Sequence, residues 1–578
     1  MVRAALATGL GLGLFGGVAF GQFSSATSVA GNGLSSTSPA IFKGTVLNRV
    51  TRAPVGRALV FSADQQLAMM TDDRGRFEFK IGAASDDGSG SINGANIAAS
   101  GRAITMRYFV VRKPGYLDTP QMLVSSGDSS VSDTTIYLQP EALIVGKIIS
   151  ADAEHTLLFN VQLYKQEFRQ GQEHWQQEGN FVTWSDGEFR FAGLAAGTYK
   201  VLSAEQMDQE FQFGRPRGQE FGYPATYYPG VTDFSSSTAI HVAAGQTFEA
   251  NITVTRRPYY PVKIAVASGS AEQGFNLVVY PLGRPGPGFS LGYDQSQQAI
   301  VGLLPDGAYT VSAEIYGPSR ASGTMNLSVR GEPAVGGGMN MVANGTAVVN
   351  VKEFFRNTSS ESPQSSRVGV VSRFGSGGYN PRLQLELDPA EDFALARPQN
   401  SRPAGDSADT LEIPGIPPGK YAIRASPTQG YASSVLYGGV ELLRQPLVVG
   451  LGGISSPIEV TLRDDGAEVK GEVEDDEGTP LGGAGGAAAT KPPRFIHFVP
   501  MPESTGQYRE TSSNSQGAFI ESQLPPGEYL VLAFSDSDAN LHLSFADAIA
   551  KYSAVGQVVS VAPEQKLQLR LKAIAGDQ

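Results

Sequence analysis

The chain has 578 residues, of which 69 are Gly, 35 are Pro and none is Cys; 17% are charged, and the formal net charge is −12. That length asks for several domains rather than one core. The acidic balance without a dense Lys/Arg cluster disfavours nucleic acid and anionic membrane as partners, and the lack of Cys removes disulfides, thiolate zinc sites, thiol catalysis and a lipid-modified Cys.

Residues 1–21 read as a secretory signal peptide. Arg3 is the basic start, Ala4 to Phe20 the small apolar run, and Ala19-Phe20-Gly21 the cleavage site, which predicts a mature start at Gln22. The run is short for a bilayer span of ~20 residues, and its glycines weaken it further. The product is expected to be secreted, periplasmic or at the cell surface, with no membrane span after cleavage. Residues 22–40, rich in Ser, Thr and Gly, are expected to form a disordered leader.

Five units follow. The first, 41–140, opens with the strand Phe42-Lys-Gly-Thr-Val-Leu, continues through a turn at Pro54 into Ala-Leu-Val-Phe, and turns again at Asp72-Asp-Arg-Gly before Arg-Phe-Glu-Phe. Phe77 and Phe79 alternate as a half-buried strand does. A Gly/Ser/Asn-rich insertion interrupts it at about 82–101. The second unit, 141–257, repeats the turn and strand as Asp186-Gly-Glu-Phe-Arg-Phe and carries an aromatic insertion. The third, 258–354, and the fourth, 366–463, have lost the Asp-Gly turn, with a Ser-rich linker between them at 355–366. The fifth, 465–574, regains the turn as Gln516-Gly-Ala-Phe, and its segment Ser544 to Tyr552 is the one predicted helix.

One punctuation mark recurs through units two to five: Gly197-Thr-Tyr199, Gly307-Ala-Tyr309, Gly419-Lys-Tyr421 and Gly527-Glu-Tyr529, each after an apolar residue and turn-formers and before an alternating strand. Gly187 to Gly197 to Tyr199 and Gly517 to Gly527 to Tyr529 share the offsets 10 and 12. Such self-similarity means tandem domains. The fold class is therefore all-β: a tandem array of about five transthyretin-like or Ig-like β-sandwich domains, with neighbours expected to meet through small interfaces in a curved or bent rod.

Together these residues resemble the carboxypeptidase regulatory-like domain, a transthyretin-like sandwich grouped with starch-binding-like ones. Its pattern of Gly-x-Val, Pro-x-x-x-Ala-x-Val, Asp-x-x-Gly-x-Phe and Leu-Pro-x-Gly-x-Tyr is matched by Gly44/Val46, Pro54/Ala58/Val60 and Asp72/Gly75/Phe77 in the first unit. Units two and five match the last two elements; units three and four match only the hairpin. The stretch from Tyr223 to Gly230 is similar to large secreted multi-unit proteins of Acidobacteria. What the resemblance implies is accessory work: spacing, adhesion, or binding of sugar or protein. The catalytic, plug and barrel domains that accompany such sandwiches elsewhere are not found in this sequence.

Chemistry-bearing motifs are sparse. His155, His174, His241, His497 and His542 lack zinc-peptidase spacing and read as surface or edge residues. Gly288-Phe-Ser290-Leu-Gly fits the nucleophile-elbow spacing, but its Pro/Gly flanks lack the strand and helix an elbow needs, so it reads as a Gly-rich hairpin loop. Acidic residues at 472–477 and at Asp536/Asp538 read as solvated turns rather than calcium loops. No catalytic residue, metal or cofactor is assigned.

The candidate ligand site is aromatic: Trp175, Trp184, Tyr223, Tyr227 and Tyr228, with Arg215 and Arg217 beside them in the second unit. Flat rings that stack on sugars, next to side chains that bond hydroxyls, suit carbohydrate. The same rings suit a lid over a small sandwich core. The expected function is thus an exported non-catalytic protein that binds a glycan or cell-envelope polymer, with a structural spacer or assembly subunit acting on protein partners as the alternative. Neither nucleic acid nor membrane is an expected partner.

Overall fold

The computed structural model describes residues 40–574 except 63–66, 82–103, 127–131, 151–157, 209–218, 268–273, 317–319, 357–381, 405–406, 475–493, 505–506, 515, 535–540 and 542. Among the described residues the regular structure is strand apart from one helix. It divides into two compact units, one of residues up to 113 with 118–138, the other of 114–117 with 139 onward. The predicted signal peptide, the leader up to residue 39 and the insertion at 82–101 lie outside the described residues.

The first unit is one sandwich. Strand Ala40–Asn48 pairs antiparallel with Arg76–Ile81 and parallel with Ser132–Leu138. The facing sheet contains Leu59–Ser62 between Ala68–Met70 and Ile104–Arg112, with Thr119–Ser126 at its edge.

The larger compact unit, from 139 onward, holds four sandwiches built by the same rule: the opening strand lies parallel to a strand near the end. Ala142–Ser150 pairs so with Thr247–Glu249 and Ile252–Val254, Arg257–Ala267 with Ala334–Asn340, Gly345–Phe354 with Ile458–Arg463, and Ala467–Glu474 with Lys566–Ile574. This moves one predicted boundary. Gly345–Phe354, expected to close the third sandwich, is the opening strand of the fourth, because Ala347 and Val349 bury into the core of Leu383, Leu385 and Ile423. In the fifth sandwich the two sheets join at one edge, where Ala533 and Phe534 pair with Ala573 and Ile574.

The sequence punctuation has a physical reason. Tyr199, Tyr309, Tyr421 and Tyr529 are each no more than 3% exposed. Each hydroxyl donates to the carbonyl four residues earlier: Ala195, Pro305, Pro417 and Pro525, at 2.8, 2.9, 2.8 and 2.8 Å. The ring fills the core while the hydroxyl satisfies a turn carbonyl, the arrangement called a tyrosine corner in immunoglobulin-like sandwiches. The second signature, Gly in the opening strand, is equally physical. Gly146 lies opposite Phe189 and Gly471 opposite Phe519, and a Cβ on Gly146 would stand 2.5 Å from the Phe189 ring and 2.2 Å from the Ala250 carbonyl oxygen.

The Asp-Gly turn that the third unit lacks in sequence persists in shape. Val266 N–H donates to the Gln298 carbonyl, as Ile148 N–H does to Gly187, and Gln298 adopts φ +45° where Gly187 has +82°. The predicted helix forms over Phe545–Tyr552, with Ser544 accepting from Asp547 N–H as its N-cap. Phe545, Ala548 and Tyr552 pack on Val499, Leu530 and Leu532, on the outer face of the fifth sandwich.

Tyr421→Phe is expected to lower unfolding stability by about 1–3 kcal/mol, because the Pro417 carbonyl loses its partner in a buried setting. Urea melts of both proteins, followed by tyrosine fluorescence, check this; equal midpoints would show that the corner hydroxyl contributes nothing.

Candidate functional site

Sandwich two sends out a long hairpin, Asn160–Arg169 and Gln172–Val182, turned through Gln170 and Gly171 at φ +51° and +74°. A two-residue loop with both φ positive is the turn whose twist matches the strands. The hairpin lies along sandwich four. The His174 imidazole is buried, with Nδ1 2.7 Å from Asp392 Oδ1, and Trp175 N–H donates to Asp392 Oδ2 at 2.7 Å. A carboxylate oxygen accepts, so His174 Nδ1–H is the donor of this pair. At the tip, Gly171 abuts the Phe545 ring of sandwich five so closely that a Cβ would stand 2.4 Å from it. One hairpin thereby ties three sandwiches together. A rod built only of chain neighbours does not describe these contacts.

Beside the clip sits an aromatic cluster. Tyr164, Leu202, Ala225, Tyr227 and Phe234 are buried together, with Trp175, Val231, Phe289 and Phe393 packed against them. Phe289 comes from sandwich three and Phe393 from sandwich four. Phe234 meets Phe393 edge-on at 4.6 Å and Trp175 at 5.5 Å between ring centres. Lys200 threads into this cluster, its Nζ 4.2 Å from the Phe234 ring centre and 2.7 Å from the Phe234 carbonyl oxygen. Burial lowers the Lys200 pKa, against the pull of Glu173 and Asp233. For Asp233, burial alone would raise the pKa, but hydrogen bonds from Ser235 and Ser236 with Arg284 nearby hold it at about 2.

The predicted ligand site therefore separates. Tyr223 and Tyr227 are each 2% exposed: Tyr223 lies in the core of sandwich two, and Tyr227 lies in the cluster just described. Trp175 is half-buried in that cluster, and Tyr228 is half-buried against Phe248. Trp184 stands apart, 51% exposed, on the turn beyond the far end of the strand that carries Trp175. At ~3.3 Å per residue the two indoles are roughly 30 Å apart, too far for one sugar ring. Arg215 and Arg217 lie outside the described residues. The aromatic insertion is also not a free loop, since Gln206–Met207 and Glu220–Tyr223 extend a sheet of sandwich three through Arg257–Ala267.

Other sequence candidates resolve similarly. Ser290 belongs to a loop of sandwich three seated on sandwich two, where the Tyr227 hydroxyl donates to the Pro287 carbonyl and Ser290 N–H to Glu205 at 3.4 Å. Burial pushes the Glu205 carboxyl up to about 7, opposed by Tyr259 and Ser290. His174 and His497 are buried rather than at the surface; His241 is exposed, bonded to Thr198. His155, His542 and the acidic pair Asp536/Asp538 lie outside the described residues. Among the described residues no group of three or more His, Cys, Asp or Glu could hold a metal ion. Sequence reasoning missed His174 and Asp392: they stand 218 positions apart, and nothing in their local spacing links them.

No family model matches the chain, and no curated protein does. Among solved structures it is similar to GBS52, the minor pilin of Streptococcus agalactiae, at 13% identity over 38% of this chain and 97% of that one, with a TM-score of 0.18. It is similar to the streptococcal ancillary pilin at 11% identity, over 53% and 99% of the two chains, TM-score 0.18. It is similar to the Bacillus anthracis TIE protein at 10% identity, over 75% of each chain, TM-score 0.15. Scores this low carry no statement about this chain.

Asp392→Ala is expected to cost about 2–3 kcal/mol, because it strips two charge-assisted hydrogen bonds and leaves His174 and an N–H unpaired. Amide hydrogen exchange should then accelerate across 160–182; unchanged exchange there would mean that the clip does not hold the hairpin. For Glu205 the sign runs the other way from an ordinary ion pair. Its folded pKa of about 7 stands above the ordinary 4.5, so its contribution is full below 4.5 and lost as pH rises through about 7. Melting temperatures of wild type and Glu205→Gln should therefore diverge in favour of Gln between about pH 4.5 and 7 and stay apart by a constant amount above that; a pH-independent difference would dismiss the effect.

Proposed function

We propose that this protein is an exported, non-catalytic scaffold whose sandwiches two to five work as one mechanically continuous body. The observation that carries this is the hairpin clip: His174 and Trp175 hold Asp392 of sandwich four, while Gly171 seats on Phe545 of sandwich five. A chain of independent adhesion modules needs no such lock, whereas an assembly subunit or spacer gains stiffness from it. The junction between sandwiches four and five points the same way. Asp465, 2% exposed at its side chain, accepts from Arg463 and from the Tyr431 hydroxyl at 2.9 Å, and the Ser504 hydroxyl donates to the Leu443 carbonyl at 2.8 Å. Domain membership in the carboxypeptidase regulatory-like family is part of the same proposal, supported by the Gly–Phe strand pairs and the tyrosine corners.

Carbohydrate binding is the second reading, and a surface groove favours it. Phe275 and Tyr293 of sandwich three stack at 3.8 Å between ring centres, with Leu277, Leu291 and Gln295 around them, in a groove of about 420 Å³. Such a pair offers a flat apolar face with an amide at its edge, which is what a neutral sugar ring uses.

Calorimetry of the mature chain and a polysaccharide pull-down separate the two. The scaffold reading expects a shared melting transition for sandwiches two to five that Asp392→Ala splits, with no polysaccharide retained. Retention of a polysaccharide that Tyr293→Ala or Trp184→Ala abolishes in a folded protein would put the binding reading first. Independent melting of the sandwiches in wild type would sink the scaffold.

A further inference from the structure

Sandwich three meets two neighbours, and each junction holds a carboxyl group withdrawn from water. Towards sandwich two the group is Glu205. Its backbone N–H donates to the Gly288 carbonyl at 3.2 Å, and its Oε2 accepts from Ser290 N–H at 3.4 Å. Its Oε1 is shielded from water without a hydrogen-bond partner, and so is the neighbouring Tyr259 hydroxyl. Tyr259 and Tyr309 both feel the Glu205 charge, with Arg257 acting on each; burial above all holds the two phenols above their ordinary range, so they stay neutral.

Towards sandwich four the group is Glu314, 2% exposed. It lies opposite Ser322 in the sheet, and Asn344 follows just beyond the next strand, where its N–H donates to the Arg320 carbonyl. Glu314 Oε2, Ser322 Oγ and both polar atoms of the Asn344 amide are shielded and lack a partner. Three residues of sandwich four reach this spot. Arg397 lies over the Tyr316 ring at 5.4 Å, a Cβ on Gly415 would stand 2.9 Å from Arg320 Cδ, and Tyr421 feels the Glu314 charge. Burial raises the Glu314 pKa, against Arg320 and Arg397. At either place an ionised carboxylate is out of water with too few donors, whereas a protonated acid costs less to bury and can donate as well as accept.

The junctions that bypass sandwich three are built the other way. Asp465 is held at about 2 by the hydrogen bond from Arg463, aided by Tyr431 and opposed by burial. Asp392 accepts from His174 and from Trp175 N–H, and His174 Nδ1 donates whether the imidazole is neutral or charged. We propose that sandwich three is seated through two carboxylic acids, so that the body of sandwiches two to five is tightest in acid and slackens at sandwich three, and only there, as Glu205 and Glu314 ionise. The sign follows from linkage: a carboxyl group raised in the docked state contributes fully below its ordinary range and loses that contribution as pH rises through the docked value, about 7 for Glu205. This rests on the scaffold reading and assigns that body a regulator.

The test is amide hydrogen exchange of the mature chain at pH 5 and pH 8.5, with residues 160–182 as internal reference, since the intrinsic rise of exchange with pH is common to all amides. Relative to that reference, exchange across 286–292 should rise at least about tenfold between the two pH values, and exchange across 320–345 should rise with it. Glu205→Gln should abolish the rise at 286–292 alone, and Glu314→Gln the rise at 320–345 alone; the wild-type ratio stands as a test even if a variant fails to fold. A constant ratio in wild type with 160–182 protected overturns the proposal and leaves the scaffold standing. A rise that survives in the folded variants, or that opens 160–182 as well, also overturns it. Unprotected 160–182 amides at pH 5 overturn both readings.

Discussion

The docking of sandwich two on sandwich four turns on a single carboxylate. Asp392 accepts from the His174 imidazole and from the Trp175 backbone N–H, so it fixes both the side chain and the main chain of the crossing strand. A hairpin of this length, left unpaired along one edge, would be an exposed template for other strands. Docked on sandwich four, it instead sets where the aromatic cluster closes and where the tip reaches Phe545. Charge-assisted bonds at that spot do more than add stability. They choose one register for the hairpin on sandwich four, which apolar contact alone specifies weakly.

The internal logic of each sandwich is separate from this lock. A tyrosine that fills the core and caps a turn carbonyl, and a glycine that lets a phenylalanine ring cross the opening strand, recur because each solves a local problem without help from neighbours. That independence lets the third unit replace the turn glycine with Gln298 and keep the hairpin geometry. The surrounding sheet holds the strained residue in place.

The junctions are where residues with ordinary roles take on unusual ones. Lys200 becomes a buried cation against aromatic rings, Glu205 becomes a carboxyl that titrates near neutrality, and the Gly288-Phe-Ser-Leu-Gly loop becomes a docking surface. In each case the cause is the approach of a second sandwich, which removes water from a group that its own sandwich would leave wet.

The sequence by itself determined the all-β class, the tandem repeat, the turns and the helix near Ser544 to Tyr552, because alternation, Gly/Pro turns and helical pattern all act over a few residues. It also marked Tyr199, Tyr309, Tyr421 and Tyr529 as structural, through their fixed distance from a glycine. Only the tertiary structure decided that Tyr227 and Trp175 line a junction rather than a sugar platform, that Gly345–Phe354 opens the fourth sandwich, and that His174 belongs with Asp392. Those outcomes rest on contacts between segments far apart in the chain. Such contacts leave no period in the sequence, and an aromatic residue reads the same whether its open face meets water or another sandwich.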